Sequence, residues 1–546
     1  MRILIIVTIL INFIWSTQLD NQLSSLLKNE SSQVKSIYKM NHNRPLWIGH
    51  AKNLNTLTDA LQNPYFNYKN KRFEQDTIDN YLYLLHDGMD LNQNSRELAL
   101  LDIALTKSYI QLANFIVQSD IDWDKVLDKL AELKETKDIK ANWEMVRKKL
   151  PSNRELFHAI TNQKIEAFLR SLTPDPKRHA DLIQALEIYQ QKATLKIPRI
   201  PYTRSFQGLK YGDVDNKIVD IKKRLVISGD YPPEESYTNL YDDKLKYAIY
   251  NYKRRFNLEQ NGIIGKVDIY YMNKPMSLLV DSIITNLDKL KVFPNSYPNE
   301  YIWVNIPDFK MDYYRNGKPI LTMSAVIGRP QRPTPIFSSY MTYLELNPNW
   351  NIPENLVRRD LIPTLMEEPD YMQKHNIHVF KGWGKDAKEI KNFDITKLFP
   401  YQDESKGHIP YRFVQFPGDD NALGRIKFMF PNKYSVYLHD TDNKSLFERR
   451  YRVYSSGCMR ISKPFELLEL LKPRLRKSDL KVLDKYRNSL ENRIFRFTKK
   501  LLVQTAYFTV FQRDGMIFFR KDIYGYDRFI QESQKSDDYS NVEEVF

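Results

Sequence analysis

A cysteine that does covalent chemistry needs a base nearby and a turn open enough for a carbonyl to reach its sulfur. One stretch of this chain offers all three. Tyr437-Leu-His-Asp-Thr-Asp442 is followed by Tyr454-Ser-Ser-Gly-Cys-Met-Arg-Ile461, which sets Cys458 nineteen residues after His439 (458 − 439 = 19). His439 falls at the end of an expected strand, and Cys458 lies in a small-residue turn before a helix expected to open near Pro464. A free thiol, with a pKa of ~8.5, is mostly unreactive near neutrality, whereas a neighbouring imidazolium brings it to ~3.5–7.5 by favouring the thiolate. Gly457 lets a carbonyl approach the backbone, and the amides of Ser456, Gly457 and Cys458 are candidates for an oxyanion hole. Cys458 is the only cysteine in 546 residues, so it forms no internal disulfide; on count alone, a buried cysteine acting as a small hydrophobe is the alternative.

The elements that must position these residues change character along the chain. From about Gln33 to Lys192 apolar residues recur at helical spacing, as in Leu98, Leu101, Leu105, Leu112, Phe115 and Ile116, which predicts a helical scaffold over 18–200. Two prolines in Lys196-Ile-Pro-Arg-Ile-Pro201 deny the backbone donors and mark a boundary. Residues 204–276 resemble the peptidoglycan-binding type-1 module through the Gly229/Tyr231 turn, Ala248-Ile249, Tyr252 and the loop Leu258 to Gly265. They depart from it at Lys253, Asn261 and Asp268, where Gln, an acid and Thr are usual, and a purely structural three-helix unit is the alternative.

After Pro294 the period becomes that of strands. Tyr301 to Asn305 alternates, and Asn316-Gly317 between two such runs is a strong hairpin signal because both residues tolerate positive φ. Further strands are expected at Arg425 to Phe430, Tyr434 to Leu438, Leu502 to Phe511 and Met516 to Arg520, giving a mostly-β unit over 298–530 and a polar tail over 531–546. Between about 353 and 410 the pattern turns helical and polar, with short helices expected at Leu361 to Met366 and Tyr371 to His375. An insertion of this length suits a lid. Its Tyr371, Phe380 and Trp383, with Gly382 and Gly384, suit a flap that packs on a peptide and hinges.

Arg2 ahead of the apolar run Ile3 to Ile11 has the anatomy of an export signal over 1–17, and no second run of 18 or more apolar residues follows. The expectation is a periplasmic protein, either cleaved or held by its N-terminus to the inner membrane. The formal charge of +15 points to anionic wall polymer or lipid headgroups, not nucleic acid, with a merely solvated surface as the alternative.

His-Asp-Thr, a spacer, then Ser-Ser-Gly-Cys-Met-Arg resembles the signature of YkuD-type L,D-transpeptidases, and the whole length looks like their long YcbB-like branch. The likeness extends to Arg44-Pro-Leu-Trp47, Leu101 to Thr106, Val304 to Pro307, Arg332-Pro-Thr-Pro335, Asn347 to Pro353, Gly424 to Phe428 and Asp522 to Gly525. It implies a multidomain α+β fold: a helical scaffold, a small helical peptidoglycan-binding module, and a mostly-β catalytic domain with a helical lid insertion. It also implies Cys458 as nucleophile, His439 as base and Gly457 and Ser456 on the oxyanion side. Arg460 would orient the loop or a substrate carboxylate, Ser455 and Trp383 would face substrate, and Tyr437 would contact substrate or pack in the core. The commonest motif has His where Ser456 stands, which leaves His439 as the local base. Asp440 would orient it by side chain or by backbone carbonyl.

The implied reaction is attack on the diamino acid carbonyl of a tetrapeptide stem, release of D-Ala, and transfer to an amine. That amine belongs to a second stem, giving a 3-3 crosslink, or to an outer-membrane protein or lipoprotein. No metal or cofactor is required, and the resemblance implies inhibition by carbapenems. A carboxypeptidase or hydrolase at the same site and an inactive wall-binding scaffold are the alternatives. A serine penicillin-binding enzyme is disfavoured because Lys-Thr-Gly is absent, a papain-like enzyme because there Cys precedes His, and a zinc amidase because His375/His378 is the only close His pair.

Overall fold

The computed structural model describes residues 17–86, 94–196, 199–382 and 386–534. The expected export signal up to residue 16, Trp383 and Gly384 of the insertion, and the tail from residue 535 lie outside the described residues. The chain divides into two compact units, one of residues 1–126, 145–296 and 509–546 and the other of residues 127–144 and 297–508. The expected strand Leu502 to Phe511 is divided: its first part ends the strand Arg493–Ala506, and Val510–Arg513 pairs with Met516–Phe519, around a turn with φ +50° at Asp514 and +73° at Gly515, as part of the helical unit.

The first unit is organised by the helix Ser95–Gln118, on which Thr17–Leu26 and Gln75–His86 pack. This helix is long and apolar enough to cross a membrane by length and composition, yet 78% of its most apolar stretch is buried inside the protein. It is apolar around most of its circumference because neighbours cover it. One carboxylate on it does structural work: Asp102 accepts the N–H groups of Leu46 at 3.0 Å, Trp47 at 2.9 Å and Ile48 at 2.8 Å, and the Tyr38 hydroxyl at 2.5 Å. One turn on, Thr106 accepts the Trp47 indole N–H at 2.8 Å. The stretches Arg44 to Trp47 and Leu101 to Thr106 are thus two halves of one buried joint. Burial pushes the Asp102 carboxyl up, and these donors work against that.

Farther along, the helices Lys217–Ser228, Asp243–Arg255 and Lys266–Met272 form the small module, with Gly229 closing the first at φ +86°. Its three departures from the usual pattern meet: the buried Lys253 ammonium binds Asn261 Oδ1 at 2.9 Å, Asp268 Oδ2 at 3.1 Å and the Ile263 carbonyl at 2.5 Å. A buried cation needs such partners, so the three changes act as one.

The second unit is built on a sheet of β1 (Glu300–Asn305), β2 (Lys310–Arg315), β3 (Lys318–Gly328) and β4 (Ser338–Leu346). The insertion supplies β5 (Trp350–Asn351), β6 (Ile377–Lys381), β7 (Lys388–Glu389) and β8 (Tyr411–Gln415). After it come β9 (Ile426–Met429), β10 (Leu438–His439), β11 (Val453–Ser455), β12 (Met459–Ile461) and β13 (Arg493–Ala506). The main sheet runs β11-β3-β12-β10-β9-β4-β13-β1-β2, and β2 pairs back onto β3, so it closes on itself. The β2–β3 connection has positive φ at both Asn316 and Gly317, the turn that matches strand twist.

The insertion has the expected short helices, Ile362–Glu367 and Tyr371–Lys374. It also forms a four-stranded sheet, β5-β8-β6-β7, and a core of its own with Val357, Leu361, Ile362, Leu365, Leu398 and Phe413 buried. Two- to five-residue strands paired across long gaps left too little alternation to foresee.

Replacing Asp102 by Ala should destabilise the first unit by about 3 kcal/mol or more, since several buried donors lose their acceptor together. Urea denaturation of the intact protein checks this, and a change below about 1 kcal/mol contradicts the joint described here.

Candidate active site

The site is set by a short parallel pairing. Leu438 of β10 lies opposite Met459 of β12, and His439 opposite Arg460. Continued by one residue, the register puts Tyr437 opposite Cys458, and Met459 N–H donates to the Tyr437 carbonyl at 3.1 Å. Side chains alternate along a strand, so Tyr437, His439, Cys458 and Arg460 share one face while Leu438 and Met459, both fully buried, anchor the other. The neighbouring strands extend the row, with Lys427 of β9 opposite His439 and Glu345 of β4 opposite Lys427.

Tyr437 lies beside the sulfur, and its main-chain N–H and hydroxyl both favour the thiolate, while Trp350 acts on the same hydroxyl. The thiol points at the Ser435 carbonyl 4.0 Å away. The Lys427 ammonium sits 4.2 Å from the centre of the Tyr437 ring, and the Tyr437 and His439 rings meet edge-on at 5.5 Å.

Burial pushes the Cys458 thiol up from its ordinary 9.0, against the pull of Tyr437, Lys427 and Arg460. His439 is only 4% exposed, and burial, aided by Arg460, Lys427 and Lys444, lowers it to about 3. Among the described residues its Nδ1 is buried with no hydrogen-bond partner. Both shifts favour the neutral forms over the expected imidazolium–thiolate pair. The sign for stability follows, because unfolded His439 takes a proton below about 6.5 and folded His439 does not until about 3, so acidification through that window costs the folded unit stability.

Other expected site residues take different places. The Asp440 carboxylate accepts the Arg425 N–H at 3.0 Å, pairs with Lys444 and packs on Gly424, where a Cβ would fall 2.5 Å from Asp440 Cγ. It is thus engaged away from His439, and only the Asp440 main chain acts on the imidazole, favouring its protonation. Ser455 is spent inside the turn, its hydroxyl donating to the Cys458 carbonyl at 2.6 Å and accepting the Gly457 N–H at 3.2 Å. Gly457, at φ +115°, bends the turn. With its N–H engaged, the Ser456 and Cys458 amides, which meet no acceptor among the described residues, are the better oxyanion donors. Arg460 is half-buried and donates to Thr441 Oγ1 at 3.4 Å.

Lys427, Trp350, Arg332 and Thr334 were not foreseen as site residues. Arg332 NH1 donates to Ser456 Oγ at 2.9 Å, and the Thr334 hydroxyl donates to the Gly457 carbonyl at 2.9 Å. All lay in or beside stretches that carried the family likeness, but roughly a hundred residues from Cys458 for three of them, with no spacing to link them to it.

Residues 299–480 match the family model described as the L,D-transpeptidase catalytic domain, YkuD, and residues 32–186 match one described as a scaffold domain. A Haemophilus influenzae protein provisionally described as an L,D-transpeptidase is 32% identical over 277 residues, 49% of this chain and 52% of that relative. The matched region thus spans about half the length of that curated relative. Among solved structures, an L,D-transpeptidase from Xylanimonas cellulosilytica is 9% identical, over 56% of this chain and 100% of its own, with a TM-score of 0.18. One from Mycobacterium smegmatis is 12% identical, over 38% of this chain and 58% of its own, with a TM-score of 0.18. At those scores the structural likenesses carry no argument, and the assignment rests on the sequence matches.

Alkylation of Cys458 by iodoacetamide should accelerate with pH up to and beyond about 9, without a plateau between about pH 4 and 7. A plateau there means a preformed ion pair and contradicts the shift toward neutral forms. Tyr437→Phe should slow the reaction about tenfold at fixed pH, the order expected for losing a polar group that favours a charged sulfur.

Proposed function

We propose, from the premise that residues 299–480 form a YkuD L,D-transpeptidase catalytic domain, that this chain remodels peptidoglycan through a Cys458 thioester. The observation that carries the reading is the single sheet face bearing Tyr437, His439, Cys458 and Arg460. His439 removes the thiol proton as sulfur attacks the diamino acid carbonyl of a tetrapeptide stem. A neutral imidazole is the form able to accept it, and the thiolate is held by Tyr437, Lys427 and Arg460. The Ser456 and Cys458 amides take the oxyanion. Collapse of the tetrahedral adduct breaks the peptide bond, and D-Ala leaves with the proton from His439. An amine then attacks the thioester, His439 takes its proton, and the thiol is regenerated.

The amine of a second stem gives a 3-3 crosslink, that of an outer-membrane protein or lipoprotein attaches it to the wall, and water in its place gives a carboxypeptidase. The insertion, with its own core, acts as a lid that favours amine over water. Export to the periplasm puts the enzyme where its substrate is, and the excess of positive charge suits an anionic wall.

Incubation of the purified protein with tetrapeptide-rich sacculi, followed by chromatography and mass spectrometry of the muropeptides, should show D-Ala release with crosslinked or tripeptide products. Cys458→Ala should abolish them, and a carbapenem should leave one covalent adduct on wild type and none on the variant. Products at the wild-type rate from Cys458→Ala sink the mechanism. Neither products nor adduct from wild type favours an inactive wall-binding protein.

A further inference from the structure

The segment Arg329 to Thr334 grips the nucleophile turn residue by residue. Arg329 N–H donates to the Ser455 carbonyl at 3.0 Å, Arg332 to Ser456 Oγ at 2.9 Å and Thr334 Oγ1 to the Gly457 carbonyl at 2.9 Å. Its own shape is held at Gly328, whose N–H donates to Thr334 Oγ1 at 2.8 Å and where a Cβ would fall 2.6 Å from Thr334 N. Arg332 also reaches into the insertion. Its guanidinium forks onto Asp360, NH1 to Oδ2 at 2.7 Å and NH2 to Oδ1 at 3.2 Å. Asp360 lies in the π-helical turn Val357–Leu361, and Val357 and Leu361 are buried in the insertion's own core.

A two-pronged fork onto a carboxylate fixes direction as well as distance, which a lysine does not. The Asp360 side chain is 45% exposed and that of Arg332 15%, and an ion pair at such exposure adds little to stability. The geometry is therefore better suited to setting position than to holding the fold.

We propose that Arg332 is a positioning residue that registers the insertion against the nucleophile turn. Asp360 aims the guanidinium, the guanidinium holds the Ser456 hydroxyl, and Ser456 sets the amides on which the oxyanion rests. The insertion then governs acylation by where it holds Asp360, besides covering the cleft. This rests on the acyl transfer proposed above.

A double-mutant cycle on the full chain tests it, with kcat and KM for D-Ala release from a tetrapeptide muropeptide as readout. Asp360→Asn should lower kcat about tenfold, as expected for a misplaced catalytic turn, while KM changes less than about twofold. Asp360→Glu should restore most of the loss. In a Ser456→Ala background, where the link is already cut, Asp360→Asn should change kcat by less than about twofold. The melting midpoint of Asp360→Asn should match wild type. Equal losses in both backgrounds, an unchanged kcat, or activity lost together with the melting midpoint each overturn the proposal. Absence of D-Ala release from wild type overturns the underlying reaction instead.

Discussion

The candidate site depends on the parallel pairing of β10 with β12, a two-residue strand against a three-residue one. Strands so short do not persist alone. Here they lie inside a closed sheet, with β9 beyond β10 and β3 beyond β12. Leu438, Met459 and Phe428 are fully buried on one face. Because successive side chains point to opposite faces, burying that row forces Tyr437, His439, Cys458 and Arg460 together on the other. A slip of one residue would exchange the two rows and send the thiol into the core.

That register also sets the electrostatics. His439 lies between two cations in the same row, Lys427 and Arg460, which together with burial keep it neutral. The same cations face the sulfur, where burial works against the thiolate and they work for it. An arrangement of this kind stabilises negative charge as it develops more than it stabilises the resting thiol, which is the differential binding that catalysis requires.

Buried ionic joints recur away from the site and follow one rule. Asp102 gathers the donors of a loop, and Lys253 gathers Asn261, Asp268 and a carbonyl. Each charge is affordable only because its hydrogen-bonding capacity is met. Read one by one along the chain, the module's three unusual residues look like lost features; brought together, they are a single polar cluster that holds its helices.

The sequence by itself determined what depends on near neighbours. The strand end at His439 and the turn at Cys458 are legible because turn, strand and spacer fall within a few dozen residues, and Asn316-Gly317 because a two-residue turn is specified by its own φ preferences. The long apolar helix Ser95–Gln118 is legible because its periodicity persists over many turns. Only the tertiary structure decided which distant groups reach the sulfur and its turn. Lys427 arrives on a neighbouring strand and Arg332 from the loop after β3. It also turned Asp440 away from His439 toward Arg425 and Lys444, and gave the insertion a sheet. The electrostatics follow for the same reason: burial, which moves both His439 and Cys458 toward their neutral forms, is a property of packing, and no spacing of residues along a chain encodes it directly.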